Sequence, residues 1–344
     1  MRQAIADIYQ HETPEQLASE GIDVFFGGAR FLDASTIQAG KRTLSARKFL
    51  IASGAHPFVP ELGDVPFLTY LQIFENDQLP ERLIVIGAGP IGSEIAQAYQ
   101  RLGSQVTLVD VGLLPRDEPE VAEVMGRVFA REGIRFVEGL VSSVREEGDE
   151  IVIDMETQEY RGHEYRAREY RGDMLLMAVG RTPAVGGLAL EKAGVIYSAE
   201  GIQVDDKLRT NVKHIYAAGD CLGGYQVTHL AGWQGFMAAR NALLPGSDSG
   251  FTERVPWTTF TDPEVAHVGL TEVQARGKYG DTVRVTTWDM AGTDRAGVGE
   301  DRAGCSGISD RLSGSLRGGP SVAGVAGEVS GVCGVGGRLG VKVR

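Results

Sequence analysis

Cysteine is scarce. The three present, Cys221, Cys305 and Cys333, are scattered and form no CxxC or longer close pair, which excludes a disulfide scaffold and leaves no metal site to be expected. Long apolar runs are missing as well. No stretch could span a bilayer, and the opening MRQAIADIYQHETPEQL has no signal-peptide core. Positive charge is in deficit: 34 Lys and Arg stand against 46 Asp and Glu, and a formal net charge of -12 argues against a nucleic-acid or anionic-membrane surface. A soluble cytoplasmic protein is the expectation. Apolar residues are plentiful, however; 42% of 344 residues can bury large cores, and the length suggests two or three domains.

The most informative stretch is LIVIGAGPIGSEIAQAYQRLGSQVTLVD at 83–110. Leu83 to Ile86 is a short apolar run of the kind buried on both faces of a parallel sheet. Gly87-Ala88-Gly89-Pro90-Ile91-Gly92 then lets the backbone turn tightly and approach a pyrophosphate, with a helix N-terminus facing the phosphates. Ile91, Ile95, Tyr99 and Leu102 recur near helical spacing, and Val106 to Val109 supplies a second strand. Asp110, 18 residues after Gly92, stands where a carboxylate accepts from ribose hydroxyls, which favours NAD over NADP. The bland alternative is a structural glycine turn.

Elsewhere the pattern predicts a helix through Leu17, strand-like runs at Ile22–Phe26 and Phe49–Ala52, and a small-residue turn from Ser53. A linker spans Glu75–Pro80. Val121–Glu132 reads as a helix; Phe136–Val144, Glu150–Met155 and Asp173–Val179 read as strands, the last ending in Gly180-Arg181-Thr182-Pro183. A further apolar strand in TNVKHIYAAGD at 210–220 delivers a glycine and an acid, and helical character resumes over Leu230–Leu243.

The ordered set Ile51-Ala52-Ser53-Gly54, GAGPIGSE at 87–94, AVGRTP at 178–183 and TNVKHIYAAGD at 210–220 resembles the flavin-dependent pyridine nucleotide disulfide oxidoreductases. TDPEVAHVG at 261–269 is similar to the start of that family's dimerisation domain, so the resemblance covers roughly residues 1–295. It implies an α/β fold of FAD- and NAD(P)-binding Rossmann-like domains, with the NAD domain inserted in an incomplete FAD domain. The implied layout is a partial FAD-binding domain at 1–75, an NAD-binding domain at 76–181, the second part of the FAD domain at 182–250, the start of a dimerisation domain at 251–291, and a tail at 292–344.

Roles carry over by position as implications of the resemblance. Gly87, Ala88, Gly89, Pro90, Ile91 and Gly92 would cradle the NAD pyrophosphate, and Glu94 would sit beside the nicotinamide as the catalytic-site residue. Asp110 would take the adenosine ribose, with Val141 and Gly180 lining the same nucleotide. For FAD, Asp220 would accept from a ribityl hydroxyl, with Gly219 letting the backbone pass close. Thr228 and His229 would contact the isoalloxazine ring from a helix start, and Ser53 and Gly54 would contact FAD from the other side. Read without the family, His229 is a helix-cap histidine and Cys221 a packed small hydrophobe.

The departures bear on function. Family members open with their own FAD-binding GxGxxG and a CxxxxC redox pair, and this chain has neither. From Gly292 to Arg344, 15 of 53 residues are glycine with no Phe, Trp, Tyr or His, a composition that cannot repay its ordering entropy and predicts a disordered tail. A reading-frame change near Ala291 or a flexible glycine-rich tail accounts for it. The repeat of Glu-Tyr-Arg at 159–161, 164–166 and 169–171 has a five-residue period that sustains neither a helix face nor a strand face, so it reads as a lengthened surface hairpin. The expected function is an FAD-dependent NAD(P)H oxidoreductase, mercuric reductase-like, acting on a small electron acceptor and homodimeric in the family. The alternatives are a dihydrolipoyl dehydrogenase, an inactive nucleotide-binding fragment, and an NAD-responsive module acting through a partner.

Overall fold

The computed structural model describes residues 2–10, 13–155, 159–160, 163–164, 169–251, 255–289, 306–309, 329–335 and 340–343. The chain divides into two compact units, one of residues 1–56 with 181–252 and the other of residues 57–180 with 253–344. Residues 57–180 of the second unit are thus inserted in sequence within the first, and its residues 253–344 follow.

In the unit of 57–180 and 253–344, four parallel strands run in the order Met174–Met177, Arg82–Ile86, Gln105–Asp110, Arg135–Glu138. Leu83, Ile84 and Val85 are fully buried, as the unbroken apolar run required. Helices Pro90–Leu102 and Pro119–Glu132 each begin with proline, whose fixed φ suits a first helical turn, and each ends on a left-handed glycine, Gly103 and Gly133. One side of the sheet packs Leu83, Val85 and Leu108 against Ala96, Met125 and Phe129 of these helices. Each of these leucine, valine, methionine and phenylalanine side chains contributes roughly 1.5–3 kcal/mol of burial. The other side buries Ile84, Ile86, Val109 and Leu175 against an antiparallel sheet ordered Glu169–Gly172, Glu150–Met155, Val141–Glu147. This layering is the expected Rossmann-like α/β architecture.

Two local expectations changed. The run 136–144 is not one strand: it breaks into Arg135–Glu138 and Val141–Glu147 at Gly139, whose φ is +151°. The first piece joins the parallel sheet and the second turns back to pair with Glu150–Met155. The repeat region follows the hairpin expectation where it is described. Glu159–Tyr160 pairs with His163–Glu164, and the third copy pairs antiparallel with Val152–Asp154; residues 161–162 and 165–168 lie outside the described residues.

The same unit contains the antiparallel pair Pro256–Thr259 and Val265–Gly269, joined through a cis Asp262–Pro263 bond, and the helix Glu272–Tyr279 opened by a Thr271/Gln274 capping box. Within the tail the described residues are the strands Ser306–Ser309, Val329–Val335 and Gly340–Val343, where composition suggested no ordered element. The rest of the tail lies outside the described residues.

The unit of 1–56 and 181–252 has helices Arg2–Tyr9 and Pro14–Ser19, then a three-stranded meander from Ala29 to Ser45. Ile22–Phe26 is not a strand: no neighbouring strand pairs with it, and Phe26 is 77% exposed. Phe49–Ile51 runs parallel to Ile215–Ala217. Phe31, Ile51, Leu190, Ile215, Ala217 and Cys221 form its core, beside a second cluster of Leu208, Tyr216, Met237 and Ala238 under helix Thr228–Leu243.

Candidate nucleotide sites

The 87–92 turn is held from three directions. Gly87 has a φ of +107°, its N–H donates to Val109 O at 2.8 Å, and an added Cβ would lie 2.4 Å from Ala178 O. A Cβ at Gly92 would lie 1.8 Å from Gly87 O, so the first helical turn is seated directly on the glycine loop. Gly89, by contrast, has open space where its Cβ would be, and as the helix N-cap it has no side-chain cap hydrogen bond. Ala88 O accepts from Leu114 N at 2.9 Å and from the Ser93 hydroxyl at 3.1 Å. A rigid loop with an open, uncapped helix start and no side chain in front of it fits a pyrophosphate.

Asp110 ends the second strand and closes the loop: Oδ2 accepts from Ala88 N at 2.6 Å and Oδ1 from Val111 N at 2.7 Å. The predicted acid is therefore built into the turn it was paired with on spacing alone. Gly180 follows the strand that ends against Gly87 and has a φ of +128° with open space beside it. Val141 lies three residues beyond Glu138, after Gly139 N donates to Asp110 O at 2.9 Å, and its side chain packs in the apolar layer between the two sheets.

Glu94 does not stand free. Its Oε1 accepts from the backbone N–H of Phe260 at 2.8 Å, and burial pushes its pKa up, opposed by that hydrogen bond. Close by in the same unit is a cluster that the sequence did not suggest. Trp257 stacks on His267 with ring centroids 3.9 Å apart, and its indole N–H donates to Asp117 Oδ1 at 3.1 Å. His267 Nδ1 lies 3.9 Å from the same carboxylate oxygen.

The remaining predicted residues sit together in the other unit. Parallel pairing of Phe49–Ile51 with Ile215–Ala217 brings Ser53 and Gly54 to the end of the strand that delivers Gly219 and Asp220. Ala218 N donates to Ile51 O at 3.0 Å and Ala184 N to Gly54 O at 2.9 Å. Gly219, at φ +79°, donates to the Gln234 side chain at 2.9 Å, and an added Cβ would press on Ala231 at 3.2 Å. Asp220 is ion-paired through Oδ2 with Arg181 at 2.7 Å, a partner that spacing did not reveal. Thr228 and His229 are exposed on the first turn of helix Thr228–Leu243, whose N-cap Val227 has no side-chain cap. The Ser53 hydroxyl is buried without a hydrogen-bond partner. An orphaned donor, a close-approach glycine, an acid and an uncapped helix start fit the ribityl and ring end of a flavin. Cys221 is fully buried, its thiol pushed up by burial, and it donates to Ala218 O at 3.2 Å, which is the packed-hydrophobe reading.

A glycine turn closed by an acid at the carboxyl ends of a parallel sheet defines a dinucleotide-binding α/β protein. Family models then give the group: the pyridine nucleotide-disulphide oxidoreductase model matches residues 5–235, and the dimerisation-domain model of the same group matches residues 255–343. The chain belongs to the pyridine nucleotide-disulphide oxidoreductase family. It is 35% identical to a mercuric reductase of Bacillus cereus over 83% of its own length and 45% of the relative's. It is 33% identical to a dihydrolipoyl dehydrogenase of Bacillus subtilis (strain 168) over 82% of its own length and 62% of the relative's. The chain thus spans about half the length of the curated relatives it matches. Among solved structures, LpdA from Mycobacterium tuberculosis superposes with a TM-score of 0.80 at 27% identity, covering 97% of this chain and 72% of that one. The HOCl-induced flavoprotein disulfide reductase RclA from Escherichia coli gives 0.78 at 27% identity, covering 90% and 71%. The dimerisation-domain match extends across the glycine-rich tail to residue 343. No helix among the described residues is long and apolar enough to cross a membrane.

Proposed function

We propose that this chain is a nucleotide-binding part of an FAD-dependent, mercuric reductase-like oxidoreductase that takes its electrons from NADH. The observation that carries the reading is the closed turn: Asp110 tied to Ala88 N–H, beside an open Gly89 at an uncapped helix start. Gly87, Ala88, Gly89, Pro90, Ile91 and Gly92 hold the pyrophosphate, and Asp110 favours the unphosphorylated ribose of NAD over NADP. Gly180 leaves room beside the nucleotide. Glu94 orients the nicotinamide end while keeping its bond to Phe260. In the other unit, Ser53, Gly54, Gly219, Asp220, Thr228 and His229 hold the flavin, with the ribityl hydroxyls meeting Asp220 and Ser53. A bound flavin supplies the hydride acceptor.

In this reading 1–75 and 182–250 serve FAD, 76–181 serve NAD, and the segment from 251 serves dimerisation. The final acceptor is a small molecule or ion; a dithiol of the dihydrolipoyl kind is the runner-up. A nucleotide-binding protein without reductase activity is the competing reading, favoured by Cys221 having no second cysteine close in sequence. The deciding experiment titrates the purified full chain with NADH and NADPH and records the visible spectrum. NADH binding at least about tenfold tighter than NADPH, a difference of ~1.4 kcal/mol, together with retained flavin that bleaches on NADH, supports the reductase. A colourless protein that still binds NADH supports the competing reading, and equal affinity for the two nucleotides sinks the role given to Asp110.

A further inference from the structure

Glu94, Gln97 and Arg101 are spaced by three and four residues and line one side of helix Pro90–Leu102. All three reach the same short segment, 260–262. Glu94 accepts from Phe260 N at 2.8 Å. Gln97 is 3% exposed, and its amide donates to Asp262 O at 2.7 Å while accepting from Asp262 N at 2.7 Å, as an adjacent strand would. It donates again to Glu132 at 3.2 Å. Arg101 joins Asp262 and Glu132, each at 2.7 Å. On the opposite side of the helix, Ile95 and Ala96 are fixed in the core, and Gly92 rests on Gly87 O. The helix is therefore gripped on both sides and cannot shift without moving the glycine turn.

We propose that Gln97 is a positioning residue for nicotinamide nucleotide binding: by clamping the backbone of Asp262, it holds the helix and its 87–92 turn in the geometry that the pyrophosphate requires. The inference rests on the nucleotide reading above and adds a coupling to it. A site held ready costs less ordering when its ligand arrives, and the linkage is reciprocal, so bound nucleotide must also tighten the Asp262 contact. Gln97→Leu keeps the side-chain bulk but offers Asp262 neither donor nor acceptor.

The test compares the full-length wild type with Gln97→Leu by NADH titration, and follows hydrogen exchange of the Phe260 and Asp262 amides in the wild type with and without NADH. The expected results are an NADH affinity lower by roughly five- to fiftyfold in the variant, within the usual range of coupling, and slower exchange at both amides when NADH is bound. A merely structural glutamine would lower thermal stability and leave the affinity of the folded protein unchanged, which overturns the proposal. Should the variant fail to fold, the wild-type exchange decides: rates indifferent to NADH overturn it, and slowed rates support it. A wild type that binds no NADH, or a Gly92→Ala protein that binds it equally well, removes the nucleotide reading itself and this inference with it. A binding wild type paired with an unaltered Gln97→Leu affinity removes only the inference.

Discussion

Asp117 gives the sharpest test of the electrostatics in the unit of 57–180 and 253–344. Its side chain is 1% exposed, with Oδ1 3.1 Å from the Trp257 indole nitrogen and 3.9 Å from His267 Nδ1. Burial raises its pKa from the ordinary 3.8 to about 6, the indole N–H opposing the rise and the charge of Glu118 adding to it. Because the folded value is raised, the folded protein keeps a proton that the unfolded chain has already released across the interval from 3.8 to about 6. Stability from this group is therefore fully present below the unfolded value, falls as pH rises through the interval, and is level above it. A shift of about two pK units corresponds to roughly 3 kcal/mol. Asn retains a carbonyl to accept from Trp257 and carries no charge to bury, so Asp117→Asn escapes that loss. Urea unfolding of both proteins should show the variant's advantage growing by about 2–3 kcal/mol between roughly pH 4 and pH 7. An advantage that stays flat within about 0.5 kcal/mol, or shrinks with rising pH, would refute a neutral buried Asp117 in acid.

Gly92→Ala places a methyl 1.8 Å from Gly87 O, and should lower stability by about 3 kcal/mol or more and abolish NADH binding, read by thermal unfolding and nucleotide titration. Asp110→Asn removes a charge-assisted bond to Ala88 N–H and should weaken NADH binding by about tenfold while narrowing the gap to NADPH; an unchanged gap would count against the ribose role. Arg171 bridges Glu147 at 2.8 Å, Glu150 at 3.1 Å and Glu169 at 3.2 Å on the antiparallel sheet. Arg171→Ala should lower the melting temperature in dilute buffer and do so much less at 1 M salt, where the screening length is about 3 Å; a salt-independent drop would mean that its packing matters more than its charge.

What could be read from the sequence was whatever a short stretch determines by itself. The glycine turn, both flanking strands and Asp110 were legible because tight turning, burial on two faces and ribose reach are written within 28 consecutive residues, 83–110. The strand break at Gly139 was not, because a single glycine among strand-forming residues does not announce the change of partner that divides 135–138 from 141–147. Asp220 was legible as an acid at a strand end, while Arg181, its ion partner, comes from a distant part of the chain.

The turn helix shows why sites are harder to read than folds. Ile91, Ile95, Tyr99 and Leu102 recur near helical spacing, yet Leu102 is 65% exposed and Gln97, on the polar side, is 3% exposed. A periodic pattern identifies the face that apolar neighbours will cover; it says nothing about a polar face covered by backbone. Segment 260–262 offers N–H and C=O groups that need partners wherever water is excluded, and Glu94 and Gln97 supply them from more than 150 residues away, while Arg101 pairs with the Asp262 carboxylate. A glutamine in such a place is indistinguishable in sequence from one facing solvent. The residues that tie the nucleotide turn to the rest of its unit were therefore hidden for a physical reason: their role is to satisfy main-chain groups, which every residue but proline carries alike and which leave no trace in residue type.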